Sequence, residues 1–244
     1  MIKNARRMAS FSFAKEKDQK KANKREALPV IRAVIFDLDG TLLDTLDDLA
    51  GSVNAALHLC GYPPRTRDEV RSFIGDGVRT LIRRSAPRDI PEAAYERCFA
   101  LFQKHYLSHM TDQTRVFDGI LPLLDDLRRR GVKIAVVSNK LQAGVVGLCS
   151  DFFGSRIDCA VGVTDESERK PAPVNVLRVM EQLGVSPDET LCVGDSEVDV
   201  QTAQNAGVRC VGVTWGYRTP EALKAAGAWR LINQPEELRA LLDS

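Results

Sequence analysis

Two acidic residues, Asp37 and Asp39, are separated by one residue and directly follow an apolar segment, Val30–Phe36. Carboxylates beside buried apolar sequence are costly unless a cation or a reacting group compensates them. A carboxylate next to a cation can attack phosphorus and form an aspartyl-phosphate. Gly40 permits a turn that brings the second acid towards the first, where it can act as a general acid and base. This pair is therefore the first place to expect chemistry.

Three further segments carry polar side chains: Val136–Lys140 and Val193–Asp199, each after a predicted strand, and Lys170–Pro173, which precedes a predicted helix. Three carboxylates at strand ends, Asp37, Asp39 and Asp195, can hold a hard cation, and Mg²⁺ prefers oxygen ligands. Ser138 and Lys170 have the hydroxyl and the positive charge needed to orient a phosphoryl group. The four segments together indicate a site for phosphoryl chemistry.

Apolar runs rich in β-branched residues predict the strands that must position these side chains: Val30–Phe36, Val132–Val137, Ile157–Val161, Leu191–Val193, Cys210–Thr214 and, more weakly, Leu231–Ile232. Helical patterns that end at glycine separate these runs. This alternation is typical of an α/β fold with a Rossmann-like parallel sheet covered on both faces. Sites in such sheets form at the carboxyl ends of strands, where Asp37, Asp39, Ser138 and Asp195 are expected.

Residues 46–113 carry helical patterns and no good strand signal. Thr66 and Glu69 form a capping box for one of these helices. A helical module inserted beside a site is a natural lid that excludes water and selects substrate. We therefore predict a core domain made of residues 29–45 and 114–244, with residues 46–113 as a helical cap.

Asp44 and Thr45 are predicted to form the N-terminal cap of the first lid helix, and we expect no chemical role for them. Trp215 and Tyr217 leave two alternatives open, because they can either line the site or pack a turn. Ser196 and Asp195 are both candidates for the N-cap of the helix that follows them.

The charge of the chain is unevenly distributed. Residues 1–28 contain nine Lys and Arg against three acids and carry +6, so a chain of +1 leaves −5 for the remainder. That acidic remainder argues against nucleic acid as a partner. We expect residues 1–28 to be a disordered basic leader, while a targeting segment or an over-extended start with Met8 as the true beginning stays open.

No apolar run approaches the ~18 residues of a membrane span, so we expect no membrane partner. The six cysteines show no CxxC pair, and several fall in apolar runs. They are typical of free thiols in a reducing compartment, so a cytoplasmic location is expected.

The four segments, in this order, resemble the haloacid dehalogenase-like hydrolase superfamily, and the resemblance spans about residues 31–233. The resemblance implies that Asp37 is the nucleophile and Asp39 the general acid and base. It further implies that Lys170 stabilises the charge that develops on the phosphoryl group. The helical insert resembles the C1-type cap of this superfamily.

The resemblance also implies a Mg²⁺ cofactor. Its ligands would be the side chains of Asp37 and Asp195 and the backbone carbonyl of Asp39. Asp199 and Ser196 would lie behind these ligands, with Asp199 orienting waters or Lys170.

Within the superfamily, Phe73–Gly77, Lys170–Pro173 and Val213–Tyr217 are similar to the phosphoglycolate phosphatases. The implied reaction is hydrolysis of a small phosphate monoester, 2-phosphoglycolate. The implied substrate contacts are Thr41, Ser138, Asn139, Gly75, Asp76, Gly77 and Arg79. The alternatives are a phosphatase for a sugar phosphate, nucleotide or pyrophosphate, a phosphomutase on the same scaffold, and a catalytically silent binding protein. The oligomeric state stays open.

Overall fold

The computed structural model describes residues 30–243, so the prediction for the 1–28 leader lies outside the described residues. The strands in this range are β1 (Ala33–Phe36), β2 (Leu43–Asp44), β3 (Arg115–Val116), β4 (Lys133–Leu141), β5 (Cys159–Val163), β6 (Thr190–Gly194), β7 (Arg209–Val213) and β8 (Arg230–Ile232). Six of them form one sheet in the order β5-β4-β1-β6-β7-β8, and all neighbouring pairs are parallel. The predicted parallel sheet is confirmed.

The α-helices of the described range are α1 (Leu46–Leu59), α2 (Arg67–Phe73), α3 (Gly77–Ser85), α4 (Glu92–His109), α5 (Ile120–Arg129), α6 (Gln142–Phe153), α7 (Val174–Leu183), α8 (Glu197–Asn205), α9 (Pro220–Ala226) and α10 (Glu236–Leu242). Within residues 30–243, no helix is both long and apolar enough to cross a membrane.

Helices cover both faces of the sheet. Alternate residues of a strand point to opposite faces. Accordingly, Val34 and Phe36 of β1 pack in a hydrophobic cluster with α5, α6 and α10. Ile35 packs on the other face with α7, α8 and α9. A strand buried on both faces must be apolar throughout, which explains its continuous apolar sequence.

Helices α1 to α4 lie between β2 and β3 in the chain and share a separate hydrophobic cluster. The aromatic stripe of α4, from Tyr95 to Tyr106, is part of that cluster. Thr66 caps α2 through a capping box with Glu69, as predicted. Strands β2 and β3 pair antiparallel where the chain leaves the sheet domain and returns to it.

The boundaries of several strands differ from the predicted ones. Strand β4 continues to Leu141, so Ser138 and Asn139 lie within it rather than after it. Strand β5 ends at Val163 rather than at Val161, because Val163 pairs with Leu141 at the end of the longer β4. The β2–β3 ribbon was not predicted, since two-residue strands have no periodic pattern to detect.

Candidate active site

The central position of β1 brings the predicted site residues together. β1 lies between β4 and β6, and Asp37 donates its backbone N–H to the carbonyl of Val193 at a distance of 2.8 Å. Asp37, Ser138 and Asp195 therefore reach one edge of the sheet and line the same cleft. The cleft contains about 560 Å³ of space, part of which is open to solvent.

Gly40 allows the close turn that follows the paired acids. Its φ is +87°, a backbone conformation that favours glycine. A Cβ at this position would also clash with the carboxylate of Asp195. The turn thus requires glycine for two reasons: the positive φ of its backbone and the close approach of Asp195, which follows β6.

Lys170 is the cation at the centre of the site. Its Nζ lies 2.8 Å from Oδ1 of Asp37 and 2.6 Å from Oδ1 of Asp199, and it donates to the carbonyl of Val137 at 3.1 Å. Only 6% of its side chain is exposed. Burial opposes the charged form, but the two carboxylates outweigh burial and raise the pKa of Lys170. The side chain is therefore an ammonium at neutral pH.

Three carboxylates surround this region, and their charge exceeds that of the single lysine. Oxygen atoms of Asp37, Asp195 and Asp199 all lie within 4.8 Å of one another. Burial raises the pKa of Asp37 to about 7, with Asp199 and Asp39 adding to the rise and Lys170 opposing it. Burial, followed by repulsion from Asp199 and Asp37, raises the pKa of Asp195 well above its usual range. Such a cluster has the oxygen donors and the excess negative charge that a divalent cation needs.

The partners of these carboxylates show which of them are available to a cation. Asp199 accepts hydrogen bonds from the backbone N–H and hydroxyl of Ser196, at 3.0 and 2.6 Å, besides its ion pair with Lys170. Ser196 is the N-cap of α8, so the capping residue is Ser196 and not Asp195. Asp195 accepts from Thr41 Oγ1 at 3.3 Å and from the backbone N–H of Tyr217 at 2.7 Å. Lys170 and Ser196 thus bind both oxygens of Asp199, which does not line the cleft, whereas Asp37 and Asp195 do.

The carboxylate of Asp39 is held on one side. Its Oδ1 accepts from the hydroxyl of Thr45 at 2.6 Å and lies 3.0 Å from Nζ of Lys140. Thr45 occupies the N-cap position of α1 but makes no capping hydrogen bond with its side chain. The predicted N-cap position of Thr45 is confirmed, but its hydroxyl binds Asp39 rather than a backbone N–H of the helix, a contact with the site that was not predicted.

Tyr217 resolves one alternative that the sequence left open. It lines the cleft, and its hydroxyl accepts from the backbone N–H of Thr45 at 2.9 Å. Trp215 donates Nε1–H to the carbonyl of Thr41 at 3.0 Å and packs against the core cluster. Of the two aromatic residues, Tyr217 belongs to the site and Trp215 fixes the turn after β1.

Asn139 lines the cleft, but its side-chain amide is occupied within the protein. Its Oδ1 accepts from the backbone N–H of Lys170 at 2.7 Å. Its Nδ2 donates to the carbonyls of Gly75 and Lys170, at 2.9 and 3.2 Å. Asn139 therefore positions Lys170 and joins the core to the cap loop. Ser138, whose Oγ accepts only weakly from Lys140 N–H at 3.3 Å, is better placed for the predicted phosphoryl contact.

The loop between α2 and α3 reaches the cleft with some of the predicted residues and not with others. Gly75 and Gly77 line it, beside the apolar side chains of Leu49, Ile74, Val78 and Leu81. Asp76 does not line it, because its carboxylate pairs with Arg84 at 2.6 Å. Arg79 also lies elsewhere, paired with Glu96 at 2.7 Å and stacked over the ring of Phe99. Since Val78 faces the cleft, helical geometry turns its neighbour Arg79 about 100° away.

Two core arginines that sequence reasoning missed hold this loop. Arg218 lines the cleft and donates to the carbonyls of Arg71 and Ile74. Arg169 donates to the carbonyl of Asp76 at 2.8 Å and to the hydroxyl of Thr80. Each arginine adjoins a site residue in the sequence, Tyr217 or Lys170, which is the only signal that marks it.

Comparison with known proteins identifies the family. The sequence profile of the haloacid dehalogenase-like hydrolases matches residues 34–213. The chain is 38% identical over 218 residues to a phosphoglycolate phosphatase of Pseudomonas putida, covering 86% of this chain and 78% of that protein. It is 38% identical over 193 residues to phosphoglycolate phosphatase 1 of Pseudomonas aeruginosa, covering 76% and 70%.

A solved structure agrees with these sequence matches. The fold is similar to the crystal structure of a predicted phosphoglycolate phosphatase from Haemophilus somnus, with a TM-score of 0.81 and 26% identity. The match covers 88% of this chain and 100% of that one. The chain belongs to the haloacid dehalogenase-like hydrolase family.

Proposed function

We propose that this protein is a Mg²⁺-dependent phosphatase that hydrolyses 2-phosphoglycolate through an aspartyl-phosphate on Asp37. Family membership and the named relatives support a phosphoric monoester hydrolase. The observation that carries the mechanism is the placement of Lys170 between Asp37 and Asp199, beside Asp195 and facing the cleft.

The contacts of Asp37 favour it as the nucleophile. Lys170 binds Oδ1, which leaves Oδ2 to attack the phosphorus of a bound ester. Lys170 and the hydroxyl of Ser138 would contact the transferred phosphoryl group, as positioned donors that stabilise its charge. Asn139 and Val137 hold Lys170 for this task through its backbone and its Nζ.

Asp39 supplies the proton transfers. In the first step the P–O bond to the substrate breaks, and Asp39 gives its proton to the leaving oxygen. In the second step Asp39 takes a proton from water as that water attacks phosphorus. The bond between phosphorus and Asp37 then breaks, inorganic phosphate forms and both aspartates return to their starting states.

The acidic cluster fits the proposed cation. Asp37 and Asp195 would hold Mg²⁺ with the backbone carbonyl of Asp39, while Asp199 stays bound to Lys170 and Ser196. When bound, Mg²⁺ would offset the negative charge of the carboxylates and of the substrate phosphate. Asp37 must be ionised to attack, and a nearby cation lowers the pKa that burial has raised to about 7.

We further propose that residues 46–113 act as the cap, and residues 29–45 and 114–244 as the catalytic core. The cap loop at Gly75 and Gly77 and its apolar neighbours would enclose the organic part of the substrate. Thr41 would act by fixing Asp195 rather than by touching substrate. Arg79 pairs with Glu96 and does not line the cleft, so it is not part of the proposed substrate site.

Phosphate release from 2-phosphoglycolate with and without Mg²⁺ tests the proposal, with Asp37→Asn as the matched variant. We expect turnover by the wild-type protein with Mg²⁺ only, and none by the variant. A panel of sugar phosphates, nucleotides and pyrophosphate determines the substrate, and chromatography of a sugar phosphate after incubation detects isomerisation. Equal phosphate release by both proteins would show that Asp37 is not the nucleophile.

A further inference from the structure

Lys140 is a buried lysine for which the proposed reaction has no role. It lies near the end of β4, two residues after Ser138, and lines the cleft. Its side chain is 3% exposed. Burial opposes the ammonium form, but Asp39 and Tyr106 outweigh it and raise the pKa of Lys140. A buried ammonium is retained only where specific partners compensate it, so those partners indicate its purpose.

The partners of Lys140 come from two different parts of the fold. One is Oδ1 of Asp39 in the core, at 3.0 Å. The other is Tyr106 near the end of the cap helix α4, whose hydroxyl lies 2.6 Å from Nζ and whose ring centre lies 4.4 Å away. Tyr106 is itself buried, and burial raises its pKa to about 12, so its hydroxyl keeps its proton. Lys140 is therefore fixed from both sides.

Within residues 30–243, the two side chains that contact the carboxylate of Asp39 share one of its oxygens. Lys140 and the hydroxyl of Thr45 share Oδ1, while Asp39 also lines the cleft. Two donors on Oδ1 make it the oxygen that stays unprotonated, since a proton there would face an ammonium and a hydroxyl donor. Oδ2 is then the oxygen available to a substrate in the cleft.

We propose that Lys140, held by Tyr106, is a positioning residue that fixes Oδ1 of Asp39 so that Oδ2 carries the proton exchanged with the leaving group and with water. This inference rests on the proposed role of Asp39 as general acid and base. It adds an anchor from the cap: because Tyr106 belongs to α4, the acid is correctly oriented only when the hydroxyl of Tyr106 reaches Nζ of Lys140.

The test compares two leaving groups in the first turnover. An alkyl phosphate such as 2-phosphoglycolate releases an alkoxide that needs a proton, whereas p-nitrophenyl phosphate releases a stable phenolate that needs little help. Rapid-quench and stopped-flow measurements give the rate of phosphoryl transfer to the enzyme for each ester. The variants are Lys140→Met and Tyr106→Phe, with Lys133→Met, an exposed lysine at the start of β4, as the matched control.

For Lys140→Met we expect the alkyl-ester rate to fall by about 100-fold, the lower part of the range for a positioned general acid. The nitrophenolate burst should change by less than about threefold, because a leaving group that needs no proton is insensitive to a general acid. Tyr106→Phe should show the same dependence on the leaving group to a smaller extent, and it keeps the test available if Lys140→Met does not fold. Equal loss for both esters, or no loss for either, would overturn the proposal.

The outcome separates this inference from the proposed function. If the wild-type protein hydrolyses other alkyl phosphates but not 2-phosphoglycolate, the proposed substrate is wrong, and the same comparison is made with the alkyl ester that is turned over. If Asp37→Asn retains activity, the proposed mechanism fails whatever the Lys140 variant does. A selective loss on alkyl esters supports the role of Lys140 in either case.

Discussion

Replacing Lys170 with methionine should destabilise the metal-free protein in a way that depends on pH. The substitution keeps most of the unbranched side chain and removes the only ammonium within residues 30–243 that contacts both Asp37 and Asp199, at 2.8 and 2.6 Å. Removing one partner of a buried ion pair costs about 3–5 kcal/mol, because the other charge is left buried and unpaired. The 6% exposure of Lys170 leaves little solvent to screen that loss.

The sign of the pH dependence follows from the carboxylates. The pKa of Asp37 is raised from 3.8 to about 7 in the folded protein, so the folded state binds more protons than the unfolded state between these values. The free energy of unfolding therefore falls as the pH rises through this window. Without Lys170 the positive charge that lowers the pKa of Asp37 is lost, so that pKa rises further. The free energy of unfolding lost on Lys170→Met should therefore be large at pH 8 and smaller at pH 5.

Thermal unfolding in EDTA at pH 5 and pH 8 measures both effects. A cost of about 3–5 kcal/mol corresponds to a fall in Tm of about 6–20 °C for a chain of this size. Lys133→Met, at the exposed start of β4, is the control for loss of a lysine. A fall in Tm that is the same at both pH values, or no greater than that of Lys133→Met, would refute the electrostatic reasoning.

Three further outcomes are expected. Asp37→Asn should raise the Tm of the metal-free protein at pH 8 and change it less at pH 5, since it removes the carboxylate that burial penalises; a lower Tm at pH 8 would contradict this. Gly40→Ala should lower the free energy of unfolding by at least about 1–2 kcal/mol, because alanine is strained at a φ of +87°. The added methyl group should also displace Asp195 and weaken Mg²⁺ binding. Calorimetry measures both effects, and a wild-type affinity for Mg²⁺ would argue against the tight turn. Arg218→Ala should raise KM for small substrates by about tenfold, because it removes the charge-assisted hydrogen bonds to the carbonyls of Arg71 and Ile74 that hold the cap loop. An unchanged KM would show that the loop needs no such anchor.

The parts of the fold that sequence reasoning predicted are those with strong local patterns. Strand β1 and the turn at Gly40 combine a continuous apolar run with adjacent acids, and Asp195 repeats that combination after β6, whereas the signal at Lys170 is its Pro-flanked position before a helix. Parallel topology then brings strand ends together without further information. The positions of these residues were therefore predictable from local sequence and one rule of topology.

The contacts that were missed depend on packing between distant segments. Lys140 and Tyr106 are 34 positions apart and meet only because the fold brings the end of α4 close to the end of β4. Thr45 was expected to cap α1, and its position is that of an N-cap, but a carboxylate six residues earlier competes for the same hydroxyl. The sequence near Thr45 shows that its hydroxyl can cap the helix. It does not show that the turn at Gly40 brings the carboxylate of Asp39 within reach of the same hydroxyl.

The error at Arg79 has a different cause, the rotational phase of a helix. The sequence placed α3 near the site but did not show which face of it would point to the cleft. Val78 and Leu81 occupy that face, so Arg79 turns towards Glu96. The apolar residues Val78, Leu81 and Ile82 lie on one face of the helix, opposite its arginines, but the sequence does not show that this apolar face is the one that lines the cleft.

In the proposed reaction the phosphoryl group passes through Asp37. The direct measurement is to quench the enzyme with acid during turnover of its substrate, reduce the protein with borohydride, which converts an aspartyl-phosphate to homoserine, and map the residue by peptide mass spectrometry. We expect homoserine at position 37 in the wild-type protein and none at position 39. Modification of another residue, or its absence at position 37 from an enzyme that gives a burst of product, would contradict it.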